Sequence, residues 1–291
     1  MVVRPPDGNA RDPAPVGNQV RAPFVSRGLV PRLQLVEIED QPWCPAVIRD
    51  AMTDFLRFLM ETFAPYRGAA AVLARALRTL GDAQIVDLCC GGGGPWLDLV
   101  RRIPAEGGPA LHVRLTDWFP NETAFARLQA ATQGAIAGDL DPVSAKDVPA
   151  RLPGFRTLFT ALHHFPPGEA YAVLADAVRG RQGIAVFEVT SRTPLALLGM
   201  LFLPLLVLLF TPFIRPFRWS RLFWTYLIPV VPLAVWFDGT VSCLRTYTLE
   251  ELRDLVEDLQ QGYEWEIGTV RSAPLPSRVT YLVGLPLVRS R

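Results

Sequence analysis

Four consecutive glycines, Gly91 to Gly94, follow the short run Ile85-Val86-Asp87-Leu88-Cys89-Cys90, and no other feature restricts the fold of this chain so sharply. A backbone almost free of side chains can pass close to a bound ligand. An apolar run of strand length that stops at glycine reads as a strand turning tightly into a helix. The same alternation continues downstream, with strands expected at about 111–116, 135–143, 156–162 and 183–189 and helices at about 122–132 and 168–180. Strands spaced by helices imply a parallel sheet.

Upstream, Val47, Ile48, Met52, Phe55, Leu56, Leu59 and Phe63 recur at three- and four-residue intervals between Pro45 and Pro65, the stripe of an amphipathic helix. A second helix is expected over 69–80. Downstream, a polar helix at 249–259 introduces two strands, 263–270 and 279–287, which predict an antiparallel hairpin on one sheet edge.

The charge balance excludes one class of partner. Lys plus Arg (29) nearly cancels Asp plus Glu (28), leaving no field to attract nucleic acid. Cys44, Cys89, Cys90 and Cys243 form no CxxC pair, so neither a disulfide framework nor a zinc site is indicated, and no metal is expected. Residues 1–32 are rich in Pro, Gly and Arg, lack a continuous apolar stretch and predict a disordered arm.

The glycine loop itself discriminates among ligands. A dinucleotide fingerprint counted from Gly91 would put Trp96 at its third glycine position, too bulky for close helix-to-strand packing. A phosphate-binding P-loop would need Lys-Ser or Lys-Thr after the glycines, which is absent. At Asp87, Gly91 and Gly93 the segment resembles the first motif of class I S-adenosylmethionine-dependent methyltransferases, with Cys89 standing where that motif has its first glycine.

The resemblance spans roughly Asp82 to Pro286. It implies an α/β fold: a Rossmann-like, seven-stranded, mostly parallel sheet with an antiparallel C-terminal strand, to which the apolar block after Thr190 adds a hydrophobic helical insertion after strand five. The implied organisation is N-terminal helices covering the active site (33–80), a cofactor-binding core (81–193), the insertion (194–238) and a C-terminal completion (239–291). S-adenosylmethionine is the implied cofactor. Asp87, Cys89, Gly91 and Gly93 would line it, Asp117 at the end of strand two would hold the ribose hydroxyls with Trp118 beside it, and Ser144 with Ala145 would meet the adenine. Asp141 and Asp147 are the alternatives at that last position. Two neighbouring hydroxyls suit the two oxygens of one carboxylate. Asp117 could equally cap the helix beginning near Asn121.

Leu162-His163-His164 ends strand four, on the edge where open α/β sheets bind ligands. It resembles the Leu-His pair that supplies a general base in small-molecule O-methyltransferases, which makes His163 the first candidate base and His164 the second. An imidazole titrating near neutrality suits the task. The same pair could simply line the pocket. Asp139 and Glu188 are further acids near strand ends, and Glu188 either faces the substrate or pairs with Arg192.

From Leu195 to Ile214 the chain carries no charge, a length sufficient to cross a bilayer core, and Leu222 to Phe237 is a second uncharged stretch interrupted by Pro229 and Pro232. Arg215, Arg218 and Arg221 with Trp219 lie between them. A crossing hairpin would put those arginines on the far side, against the usual bias, so monotopic or re-entrant association through 195–237 on the cytoplasmic side of a membrane is expected. The alternative is a lid or dimer face in a cytoplasmic protein. Both place apolar surface near the active site and imply a small lipophilic acceptor. The expected function is methyl transfer to that acceptor; a membrane-associated S-adenosylmethionine-binding module without turnover is the alternative, and a nicotinamide oxidoreductase is disfavoured by Trp96. The sequence names neither acceptor atom nor oligomeric state.

Overall fold

The computed structural model describes residues 26–272 and 277–287. The arm expected over 1–32 lies outside the described residues as far as 25. From Ser26 onward the chain is held instead: the Arg27 N–H donates to Glu251 Oε1 at 2.7 Å, and Arg32 Nη2 donates to the carbonyls of His163 and Phe165 at 3.1 Å each. Buried acceptors offset the ordering entropy that its composition alone could not.

Seven strands form one sheet: β1 (Gln84–Asp87), β2 (His112–Leu115), β3 (Ile136–Gly138), β4 (Phe155–Phe159), β5 (Ile184–Glu188), β6 (Tyr263–Ser272) and β7 (Ser277–Pro286). Their order is β3-β2-β1-β4-β5-β7-β6. The first five run parallel, β7 pairs antiparallel with β5, and β6 pairs antiparallel with β7. This is the expected mostly parallel sheet closed by an antiparallel hairpin. β3 is shorter than the expected 135–143 strand, because the Asp141 N–H turns back to Asp139 Oδ1 at 3.1 Å and Pro142 has no N–H for a ladder.

Because successive side chains alternate across a strand, the sheet carries two cores. Ile85, Phe155, Ala185 and Phe187 face the helices α2 (Ala69–Leu80), α3 (Trp96–Ala105) and α4 (Glu122–Ala131). Val86, Leu158, Ile184 and Val186 face α5 (Pro167–Arg179) and α10 (Leu249–Val256). All of β5 is buried, as expected of a strand covered on both faces.

The insertion comprises α6 (Pro194–Met200), α7 (Leu203–Phe210), α8 (Trp219–Leu222) with a π-helical turn over Phe223–Leu227, and α9 (Val230–Arg245). It packs against α1 (Ala46–Phe63) rather than against the sheet. Val207, Ile214, Val231, Ala234 and Val235 meet Ile48, Ala51, Met52 and Phe55 in a third cluster.

Candidate active site

The glycine loop leaves β1 through four residues in left-handed backbone: Cys89 (φ 55°), Gly91 (51°), Gly93 (102°) and Gly94 (56°). Gly93 sits at a backbone angle that strains any side chain, and a Cβ there would also lie 2.1 Å from Leu128 Cδ1 on α4, which would have to swing aside. Gly91 faces open space. Cys89 adopts the conformation glycine would take freely, at the steric cost of a Cβ.

Asp87 is buried, and Thr157 on β4 donates to its Oδ1 at 2.5 Å. Burial pushes its carboxyl up to about 7, with the nearby Asp117 adding to the rise and the Thr157 bond opposing it. A Cβ on Gly94 would sit 3.6 Å from Asp87 Oδ2, so this carboxyl braces the loop from below. Burial likewise pushes the Cys89 thiol up to about 12, and it raises Cys90, so both stay protonated at neutral pH.

Asp117 draws the loop to the end of β2: its Oδ2 accepts the Gly91 N–H and its Oδ1 the Phe119 N–H, each at 2.8 Å. It is not the cap of α4. Asn121 is, with its Oδ1 accepting the Ala124 N–H at 3.0 Å. The Val143 N–H donates to the Asp117 carbonyl at 2.9 Å, which brings Ser144 and buried Ala145 alongside half-exposed Trp118. Ser144 Oγ accepts the Lys146 N–H at 3.3 Å. Asp139 and Asp141 are both paired with Arg151, the latter at 3.0 Å. Gly91, Asp117, Trp118, Ser144 and Ala145 thus share the edge formed by the C-terminal ends of β1 to β3.

Beside them, beyond β4, lies a second group. His163 is fully buried; its Nδ1 is 2.8 Å from Glu188 Oε2, and its own N–H donates to Glu188 Oε1 at 3.2 Å. Glu188 therefore serves the histidine, while Arg192 pairs with Glu251 at 2.6 Å. With Nδ1 engaged by the carboxylate, Nε2 is the acceptor nitrogen of the neutral ring, and it has no hydrogen-bond partner. The nearest acid is Glu37, whose Oε1 is 3.8 Å away.

His164 places Nδ1 3.2 Å from Asp40 Oδ2 and Nε2 3.7 Å from Glu37 Oε2. Burial opposes its protonation, but the bond to Asp40 and the charge of Glu37 outweigh it and raise its pKa. The turn bearing both rings is clamped by its carbonyls: Arg32 holds those of His163 and Phe165, Arg245 that of His164 at 2.9 Å, and Tyr247 Oη that of Phe165 at 2.6 Å. β4 ends at Phe159, short of the expected 162, so Leu162–His164 form a helical turn rather than the strand's end; the break comes at Thr160, a β-branched residue at φ 47° bonded through its hydroxyl to Tyr66. Backbone strain of this kind concentrates at functional sites.

Glu37, Asp40, Ser242 and Arg245 are absent from the sequence-based expectations. Ser242 Oγ donates to Glu37 Oε1 at 2.9 Å, and Arg245 Nη1 lies 3.1 Å from the same oxygen. Asp238 accepts the N–H groups of Ile38 and Glu39 at 2.7 and 2.9 Å, fastening this segment to α9. A usable signal existed: Asp238 and Arg245 are the sole charges in the otherwise uncharged helix Val230–Arg245. Glu37, His163 and His164 offer ligand atoms within 4.8 Å of one another, a spacing compatible with a metal ion. Arg245 already supplies a positive charge to that carboxylate, which disfavours a second cation there.

The architecture is the fold of the class I S-adenosylmethionine-dependent methyltransferases. Among solved structures, the plantazolicin methyltransferase BpumL in complex with SAH superposes with a TM-score of 0.51 at 10% identity, over 86% of this chain and 92% of that one. The same enzyme with a monoazolic desmethylPZN analog and SAH gives 0.52 at 10% identity, over 82% and 90%. An O-methyltransferase from neocarzinostatin biosynthesis, bound to S-adenosyl-L-homocysteine and 1,4-dihydroxy-2-naphthoic acid, gives 0.50 at 18% identity, over 83% of this chain and 59% of that one. No protein-family model and no curated protein matches the sequence.

Proposed function

We propose that this protein transfers the methyl group of S-adenosylmethionine to a small lipophilic acceptor, with His163 as the base that removes the acceptor's proton. The observation that carries the reading is the convergence, on one sheet edge, of the Gly91–Asp117 loop contact and a His163–Glu188 pair whose Nε2 is buried without a hydrogen-bond partner. The fold-mates named above were crystallised with SAH, and one of them with a naphthoic acid, which supports both the cofactor and an apolar, hydroxylated class of acceptor.

Gly91 and Gly93 let the backbone approach the cofactor, Asp117 accepts from the ribose hydroxyls through lone pairs left beside its two backbone bonds, and Ser144, Ala145 and Trp118 border the adenine. Bound there, S-adenosylmethionine supplies an already activated methyl electrophile, so the protein mainly aligns the reactants. His163 Nε2 takes the acceptor proton, and Glu188 holds the ring's tautomer and stabilises the imidazolium that forms. Arg32, Arg245 and Tyr247 are positioning residues that fix the turn.

The test is incubation with S-adenosylmethionine labelled in its methyl group and extracted lipids and quinones, alongside calorimetry of cofactor binding. Label entering an organic-soluble product supports the reading. Tight cofactor binding with no labelled product overturns catalysis and leaves a binding module.

A further inference from the structure

The insertion buries one side and leaves the other bare. Of the 20-residue helical stretch Pro194–Phe213, only Val207 and Thr211 are buried. Leu195 is 79% exposed, Trp219 78% and Leu227 72%. Leu201, Leu205 and Leu209 continue the same exposed face along α6 and α7. Beside them, an open hollow of ≈ 490 Å³ is lined by Trp219, Leu222, Phe223, Tyr226 and Leu227. Soluble monomers rarely expose a contiguous apolar face beyond a few hundred Å².

The charges at its border identify what covers it. Between Pro194 and Phe237 the charged residues are Arg215, Arg218 and Arg221, with no acid among them. Arg221 is buried against Asp54 at 2.5 Å and the carbonyl of Ile214 at 2.8 Å, so it serves the fold. Arg215 is exposed beside Phe213, Phe217 and Trp219, and the partly exposed Arg218 reaches across the rim to Asp50 on α1 at 3.3 Å. Arginine with tryptophan at the rim of a leucine face is the composition of an element lying in the headgroup layer of an anionic bilayer.

One helix joins this face to the active site. On α9, Leu233 and Phe237 are exposed, whereas Asp238 accepts the N–H groups of Ile38 and Glu39, Ser242 donates to Glu37, and Arg245 reaches Glu37 and the carbonyl of His164. Eight residues of helix separate Phe237 from Arg245, about 12 Å at 1.5 Å per residue.

We infer that the α6–α9 insertion seats this protein in the surface of an anionic bilayer and that α9 sets the distance at which a lipid-resident acceptor presents its polar group to His163 while its tail stays in the acyl layer. Seating rests on the exposed face alone; delivery rests on the methyl-transfer reading above.

The experiment is flotation of the purified protein with vesicles of phosphatidylcholine alone and of phosphatidylcholine mixed with phosphatidylglycerol, with light scattering of the vesicle-free protein. The wild type is expected to float with the mixed vesicles and to stay largely bound in high salt. Leu201→Asp/Leu205→Asp/Leu209→Asp should lower partition at least about tenfold, and Arg215→Glu/Arg218→Glu should lose about tenfold on the mixed vesicles only. Unchanged calorimetric affinity for S-adenosylmethionine shows that each variant is folded. Turnover of the triple Asp variant should fall on a vesicle-embedded acceptor and persist on a short-chain soluble analogue. Loss of both activities overturns delivery, and absence of turnover in the wild type overturns the methyl-transfer reading without touching flotation. A wild type that stays out of both vesicle types overturns seating, and if it is a dimer that the triple Asp variant dissociates, the face belongs to a second copy of the chain.

Discussion

The Rossmann-like sheet and the α6–α9 insertion draw on the same apolar residues and use them in opposite ways. In the sheet, Ile85, Val86, Phe187 and Leu158 are almost wholly inaccessible because strand alternation sends neighbours to two faces, each roofed by helices. In the insertion, Val207 and Val231 are buried on α1 while Leu201, Leu205 and Leu209 look outward. Burying one such side chain is worth about 1.5–3 kcal/mol. The sheet collects that stabilisation internally, whereas the outer face of the insertion can collect it only from something outside the chain. Apolar content alone does not distinguish a core from a docking surface; the number of faces the fold covers does.

If the two regions are separate devices, changes on the sheet edge should alter chemistry without altering membrane partition. The largest effect is expected from His163→Asn, which should lower turnover about a hundredfold or more, the usual contribution of a positioned base. Cofactor affinity and vesicle flotation should stay at wild-type levels. Near-normal turnover with a flat pH profile would reduce His163 to a pocket wall.

Asp117→Ala comes next. It removes the acceptor for the ribose hydroxyls and also frees the Gly91 N–H, so S-adenosylmethionine affinity should weaken at least tenfold, from a loss of roughly 1.5–3 kcal/mol for hydrogen bonds to a charged group. Isothermal calorimetry decides it, and unchanged affinity in a folded variant would move the ribose elsewhere.

The third effect falls on stability rather than on turnover or cofactor binding. The folded Asp87 carboxyl titrates at about 7 against an ordinary value of 3.8, so between those values the folded chain holds a proton that the unfolded chain has released. Its contribution is therefore fully present below the unfolded value and is lost as pH rises towards 7. Asp87→Asn cannot ionise and keeps an acceptor for Thr157, so its unfolding free energy in urea should fall less than that of the wild type between pH 4 and pH 8, by up to roughly 4 kcal/mol. Equal slopes would show that the carboxyl is ionised beneath the loop.

Cys89→Gly sits at the end of this scale. Removing the Cβ at φ 55° should raise stability by about 1 kcal/mol, less whatever the freer unfolded chain takes back. A lower midpoint in thermal unfolding would mean that thiol packing outweighs the backbone strain. Prolonged dialysis against a chelator, by contrast, is expected to leave turnover unchanged, since Arg245 already faces Glu37; lost activity restored by a divalent cation would assign Glu37, His163 and His164 to a metal.

What was legible in the sequence was local. Short apolar runs bounded by glycines and stripes of period 3.6 located the strands, the helices and the closing hairpin, because each is a property of its own element. Glycines 91 and 93 were legible because no other residue takes those backbone angles without cost, and Asp117 stood out as an acid at a strand end. Where a strand stopped early, as at Asp139-Leu140-Asp141-Pro142, local hydrogen bonding and a missing N–H had overridden an apolar run.

The tertiary structure alone decided which groups meet. Glu188 left Arg192 for His163 because β4 and β5 are neighbours in the sheet, and Glu37 joined the histidines because Asp238, some two hundred positions away, captures the N–H groups of Ile38 and Glu39. No periodicity encodes such a pairing: it follows from the order in which strands assemble and from where a helix ends. The insertion shows the same division, since its sequence determined that it is apolar and free of acids between Pro194 and Phe237, and only its packing on α1 decided which half of that surface remained to face outward.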